Sequence, residues 1–142
     1  EGQNNANIYL DYLFNKYKYI NEEDFKNRSK GDNLLCMSYL KAMDNYLDDD
    51  NVNEALIYAE KALEINPTSF TYNIIYAIIR AQNEYGKKIY DLTNELRYKK
   101  LNMDMKSEAI DIIYEYMDLY KDEPYYGIHN ITGPSYNEED YN

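Results

Sequence analysis

The sequence predicts an all-α domain built from antiparallel helix pairs. Apolar residues recur at spacings of three and four through most of its length. Of the 5 glycines and 3 prolines, all but the terminal Gly2 fall between these periodic stretches or crowd the last nineteen residues. No segment alternates apolar and polar residues as a strand does. At 142 residues the chain fits one domain of ordinary size.

Residues 6–20 place Ile8, Tyr9, Tyr12, Leu13, Tyr17 and Ile20 at helical spacing. In 21–32, Phe25 is the sole large apolar residue, which leaves a short helix and a loop equally open. Residues 33–47 carry a stripe of Leu35, Tyr39, Ala42 and Tyr46, with Met43 and Leu47 beside it. Asp48-Asp49-Asp50 suits a turn, after which Asn51 and Glu54 form a capping box for a helix over 52–65. That helix turns Ala55, Leu56, Ala59, Ala62 and Leu63 inward and stops at Asn66-Pro67.

Thr68 or Ser69 caps the next helix, 70–85, which is apolar nearly all round and therefore expected to be surrounded. Gly86 ends it. A helix over 87–101 follows with Ile89, Leu92 and Leu96 as its stripe. Asp104 is expected to cap the last helix, 105–121, which bears Ala109, Ile110, Ile113, Tyr114, Met117 and Tyr120. Residues 122–142 form an acidic, tyrosine-rich tail without helical period. The short connections imply antiparallel neighbours.

Charge and composition narrow the function. With Lys+Arg 15 against Asp+Glu 26, the net charge is -11, which repels nucleic-acid backbones and anionic lipid surfaces. No apolar run approaches the ~20 residues of a membrane span. Residues 1–20 show no signal-peptide pattern, so a cytoplasmic location is expected, with an extracytoplasmic one left open. Cys36 is the sole cysteine and His129 the sole histidine. Neither has a partner base, a glycine-rich phosphate loop or metal spacing nearby, so no enzyme, cofactor or metal site is expected.

The segment from Asn53 to Pro67 carries more than a generic amphipathic pattern. Small residues at Ala55, Ala59 and Ala62 admit a close neighbouring helix, and Pro67 follows five residues after the last of them. This resembles the second helix of a tetratricopeptide repeat (TPR). In the 34-residue frame Tyr39, Tyr46, Ala55, Ala62 and Pro67 match, while Met43 replaces a small residue and Ala59 a bulky one. The best repeat spans 36–69, a degenerate one spans 70–103, and 105–121 acts as a capping helix of a short TPR-like α-solenoid over 1–121.

The resemblance implies a peptide-binding inner face on the first helix of each pair. Its positions here are Met37, Leu40, Asp44, Leu47 and Asp48, then Thr71, Ile74, Ile78, Ala81 and Gln82. Such a face offers an apolar floor with a carboxylate rim, suited to a basic or apolar peptide. The bland alternative is that a short stack buries this face against its own terminal helix or tail. The family's carboxylate clamp does not carry over, because Asp44 has the wrong charge beside Asn73 and Arg80. Counted from Asp48, a calcium loop needs glycine sixth and glutamate twelfth, where Asn53 and Ala59 stand. The run Lys87, Lys88, Arg97, Lys99 and Lys100 reads as a solvated basic face or a receiver for an acidic partner.

The expectation is thus a non-enzymatic interaction module or scaffold that binds a protein or peptide. Two alternatives stay open: a peptide-sensing domain of a larger regulator, and a structural subunit that self-assembles through an apolar helix face. Docking of residues 122–142 onto the Ile74/Ile78 surface of the same or a neighbouring chain is a further expectation.

Overall fold

The computed structural model describes residues 4–44, 49–83 and 89–122. Among these, α1 (Asn5–Tyr17), α2 (Glu22–Arg28), α3 (Gly31–Asp44), α4 (Asp49–Ile65), α5 (Phe70–Asn83), α6 (Ile89–Asn94) and α7 (Ser107–Asp118) follow in chain order. A 3₁₀ turn, Glu95–Tyr98, continues from α6. The described residues contain no strand, only an isolated bridge between Ser69 and Asn102.

Local chemistry sets the boundaries. Lys18 adopts a left-handed conformation with φ 56°, and its N–H closes α1 on the Phe14 carbonyl. Asn21 then opens α2 by accepting the Asp24 N–H at 2.9 Å. Acidic residues fill the first turn of α2 and Lys26 and Arg28 its last, both favourable to the helix dipole. The segment left open between helix and loop is therefore a capped helix, docked through Phe25. That ring is fully buried and meets Tyr19 at 5.4 Å and Tyr58 of α4 at 5.7 Å between centroids.

The helices pack in a regular order. Each of α3, α4, α5 and α6 lies against the next, and α6 lies against α7. In addition α1 lies on α3, and α3 on α5. One core joins Leu10 and Leu13 of α1, Phe25, Leu34 and Met37 of α3, and Tyr58 and Ala62 of α4. A second joins Phe70, Ile74 and Ala77 of α5 to Leu92, Leu96 and Ile110. Between them, Ala42, Ala55 and Ala59 pack with Ile79. These alanines let α3, α4 and α5 approach closely, and Ile75 borders all three clusters.

Several expectations are corrected. Gly31 begins α3 instead of interrupting the chain before it, and α3 passes so near α5 there that an added Cβ would lie 2.9 Å from the Tyr72 hydroxyl. Asn51 lies inside α4, which starts at Asp49, so the expected capping box is not formed. The helix over 87–101 is shorter: α6 gives way to the 3₁₀ turn at Glu95. Thr93 turns its hydroxyl back onto the carbonyls of Ile89 (2.8 Å) and Tyr90 (3.2 Å), a bond that competes with helix continuation.

Asp104 does not cap the last helix, which begins at Ser107. Its carboxylate instead reaches α5. It accepts the Thr71 N–H at 2.9 Å and the Thr71 hydroxyl at 3.0 Å, and pairs with the Ser69 hydroxyl. Ser69 in turn accepts the Tyr72 N–H at 3.1 Å, as its expected capping role requires. Backbone bonds from Phe70 N–H to the Asn102 carbonyl (2.9 Å) and from Asn102 N–H to the Thr68 carbonyl (2.7 Å) stitch the two connections together.

Candidate functional site

The ten inner-face positions divide by burial. Met37 is fully buried, and Leu40 packs against the same core beside Ala6, Leu10 and Leu13 of α1. Ile74 and Ala81 are buried in the second core, where Ile78 packs half-buried among Leu92, Leu96 and Ile110. The expected open apolar floor is therefore corrected: α1 covers the row on α3, and α6 with α7 covers the row on α5. The expectation that the tail docks there concerns residues 123–142, which lie outside the described residues, as do Leu47 and Asp48.

The polar members of the set hold helix ends. Asp44 accepts the Ala6 N–H at 2.6 Å and the Asn5 side-chain amide at 3.0 Å. Asn4 makes no side-chain cap of its own, so this carboxylate from the end of α3 satisfies the start of α1. Thr71 is held by Asp104 in the same manner. The second helical residue of each helix, Ala6 in α1 and Thr71 in α5, thus donates its N–H to an aspartate from a distant element. Burial alone would raise the Asp104 carboxyl, but the bonds from Ser69 and Thr71 outweigh it and hold it below its ordinary 3.8. Gln82 is half-buried, with its Oε1 among the buried atoms that lack a partner.

A different row of α3 is open. Asp32, Cys36, Tyr39 and Met43 follow one another at spacings of four, three and four, and all are exposed. Tyr39 is 51 % exposed. Tyr39, placed in the inner stripe of α3 by its spacing with Leu35 and Ala42, is turned out instead, because Leu34, Ser38 and Ala42 are the row turned inward. Ser38 explains the slip: a small polar residue gives no hydrophobic signal, yet it is fully buried where α3 is in close contact with α4.

Beside this open row, across the seam with α1, the Tyr9 hydroxyl donates to Asn33 Oδ1 at 3.2 Å, and Tyr9 stacks on Tyr12 with centroids 6.5 Å apart. Burial first, and the neighbouring Cys36 second, push the Tyr9 phenol up to about 12. On the α5 side, the Tyr72 hydroxyl donates to Asp32, and its phenol is raised by burial and by that carboxylate. Aromatic and polar groups therefore run across α1, α3 and α5, with Tyr39 and Met43 projecting beyond them.

Other sequence signals resolve structurally. Arg97 pairs with Asp118 at 2.7 Å and lies over the Tyr114 ring at 3.8 Å, tying the 3₁₀ turn to α7. Lys99 and Lys100 are exposed, and Lys87 and Lys88 lie outside the described residues. Residues 49–54 are helical, which removes the calcium-loop geometry, and no group of three or more His, Cys, Asp or Glu that could hold a metal ion occurs among the described residues. The cleft lined by Asn4, Asn7, Lys41, Asp44 and Asn51 holds about 90 Å³, below the ~300 Å³ at which small-molecule sites begin. No helix among the described residues is long and apolar enough to cross a membrane. Comparisons of the chain with protein-family profiles, curated proteins and solved structures returned no match.

Proposed function

We propose that this chain is a non-enzymatic, TPR-like interaction module that holds a partner segment across α1, α3 and α5. The observation that carries the reading is the packing order: from α3 onward sequential neighbours lie together, and the alternate helices α1 with α3 and α3 with α5 also touch. A solenoid of helix pairs has both kinds of contact, and its first helices share one face. On that face Tyr12, Tyr39 and Met43 are exposed apolar groups, and Asp32 supplies a carboxylate. The proposed peptide floor moves with it, from the buried Met37 and Ile74 rows to the Cys36–Tyr39–Met43 row. Such a surface suits an extended segment with apolar anchors and Lys or Arg, as the net charge of -11 also favours.

The test is a titration of labelled basic-apolar peptides against the full chain and a Tyr39→Ser/Met43→Ser variant. The reading predicts that the variant melts as the parent does and loses about tenfold or more in affinity. Equal affinity in the two proteins would remove Tyr39 and Met43 from the site.

A further inference from the structure

The outer face of α7 goes beyond that reading. One side of this helix packs on the second core through Ile110, Ile113 and Tyr114, and Met117 on it is buried as well. Its opposite side is also apolar: Ile112 is 66 %, Tyr116 53 % and Leu119 72 % exposed. A helix with two apolar faces belongs inside a stack, whereas the end helix of a repeat array normally turns a polar face outward. The spacing of four and three puts the three side chains in one continuous row. At 100° per residue, Glu108, Asp111, Glu115 and Asp118 fall along one edge of that row. The helix carries four carboxylates and no Lys or Arg. Asp118 is engaged by Arg97 and Glu108 accepts the Ser107 hydroxyl at 3.3 Å, so Asp111 and Glu115 contribute most of the charge on the exposed edge.

The geometry points to a second docking surface here, for an amphipathic helix of a partner protein that carries apolar residues three and four apart and Lys or Arg along one adjoining edge. Charge complementarity selects this occupant. A row flanked by carboxylates on a chain of net charge -11 repels a second copy of itself. It also repels the acidic end of this chain, Glu138, Glu139 and Asp140. A basic helix gains from both the row and its edge. Packed ridge into groove, it would cover Ile112, Tyr116 and Leu119 together.

The test uses the full chain and a synthetic helical peptide with leucines three and four apart and lysines along the adjoining edge. Fluorescence anisotropy should show saturable binding that weakens with salt. Ile112→Ser/Leu119→Ser and Asp111→Lys/Glu115→Lys should each weaken it about tenfold or more with unchanged melting, because these side chains are exposed. Tyr39→Ser/Met43→Ser should leave this binding intact, which separates the surface from the one on α3. A peptide with glutamates in place of the lysines should not bind.

Three results would overturn the proposal. One is no binding, or binding indifferent to both α7 variants. Another is displacement of the basic peptide by a synthetic peptide of residues 123–142, which would make the chain's own tail the occupant. The third is a dimer in sedimentation that Leu119→Ser dissociates, which would make the occupant a second copy.

Discussion

The first four helices and the last three solve the same problem with different surfaces left over. Each half has its own core, and in each the leading helix is closed by an aspartate from elsewhere: Asp44 for α1 and Asp104 for α5. In the first half the exposed row on α3 mixes a carboxylate, a thiol, a phenol and a thioether. In the second half the exposed row on α7 joins two aliphatic side chains, Ile112 and Leu119, to the Tyr116 phenol, with its charge set along one edge. Capping stabilises a helix whatever its outer face carries. The outer face is therefore where the two halves differ in the partners they suit.

The largest effect expected from breaking this comparison is in the cores. Phe25→Ala and Phe70→Ala each remove a fully buried ring and should cost about 3–5 kcal/mol in chemical denaturation. If the halves are separate cooperative units, each variant will lower one of two transitions; a single shared transition would show that Ile75 and the alanine cluster couple them. Ala62→Leu comes next. Ala62 of α4 is fully buried in the first core, so overpacking should cost about 1–3 kcal/mol. An unchanged melting curve for it would contradict close packing of α4.

The capping aspartates give a smaller and sharper contrast. Asp104→Ala strips three side-chain or backbone donors of their acceptor and should cost about 1–2 kcal/mol. Asp44→Ala leaves two donors, of which the Asn5 amide is exposed, and should cost about 0.5–1 kcal/mol. The pH dependence differs in a defined sense. Because the folded Asp104 carboxyl lies below its ordinary 3.8, its contribution is complete above that value and disappears as pH falls through the lowered one. Acid titration of Asp104→Asn should therefore show a shallower loss of stability in this range than the parent. Tyr39→Ala should give the smallest effect, within about 0.5 kcal/mol, since its ring is half exposed.

Most helices could be placed from the sequence because their apolar residues recur at helical spacing and Pro67 and Ser69 punctuate them chemically. The facing of α3 was not legible. Of the stripe Leu35, Tyr39 and Ala42 only Tyr39 is exposed, and Ser38 is buried in its place, because periodicity gives no weight to a small hydroxyl. The role of Asp104 was hidden for another reason. An aspartate before an apolar stretch reads as a local cap, while its actual partners, Ser69 and Thr71, lie more than thirty residues earlier. The buried members of the inner-face set, Met37, Ile74 and Ala81, have a different reason. A repeat frame assigns positions by number, but which of them stay open depends on the helices that follow, and here α6 and α7 close over α5.

The rotation of α3 decides which residues can meet a partner, and adjacent positions test it most directly. Cys36 is exposed while Met37 is fully buried. Thiol labelling of the native chain should proceed at Cys36 at the rate of an accessible cysteine. In the Cys36→Ser/Met37→Cys variant it should slow to the rate at which the fold opens. Fast labelling at position 37 with protection at Cys36 would put the Met37 row outside, and would return the binding face to Met37, Leu40 and Asp44.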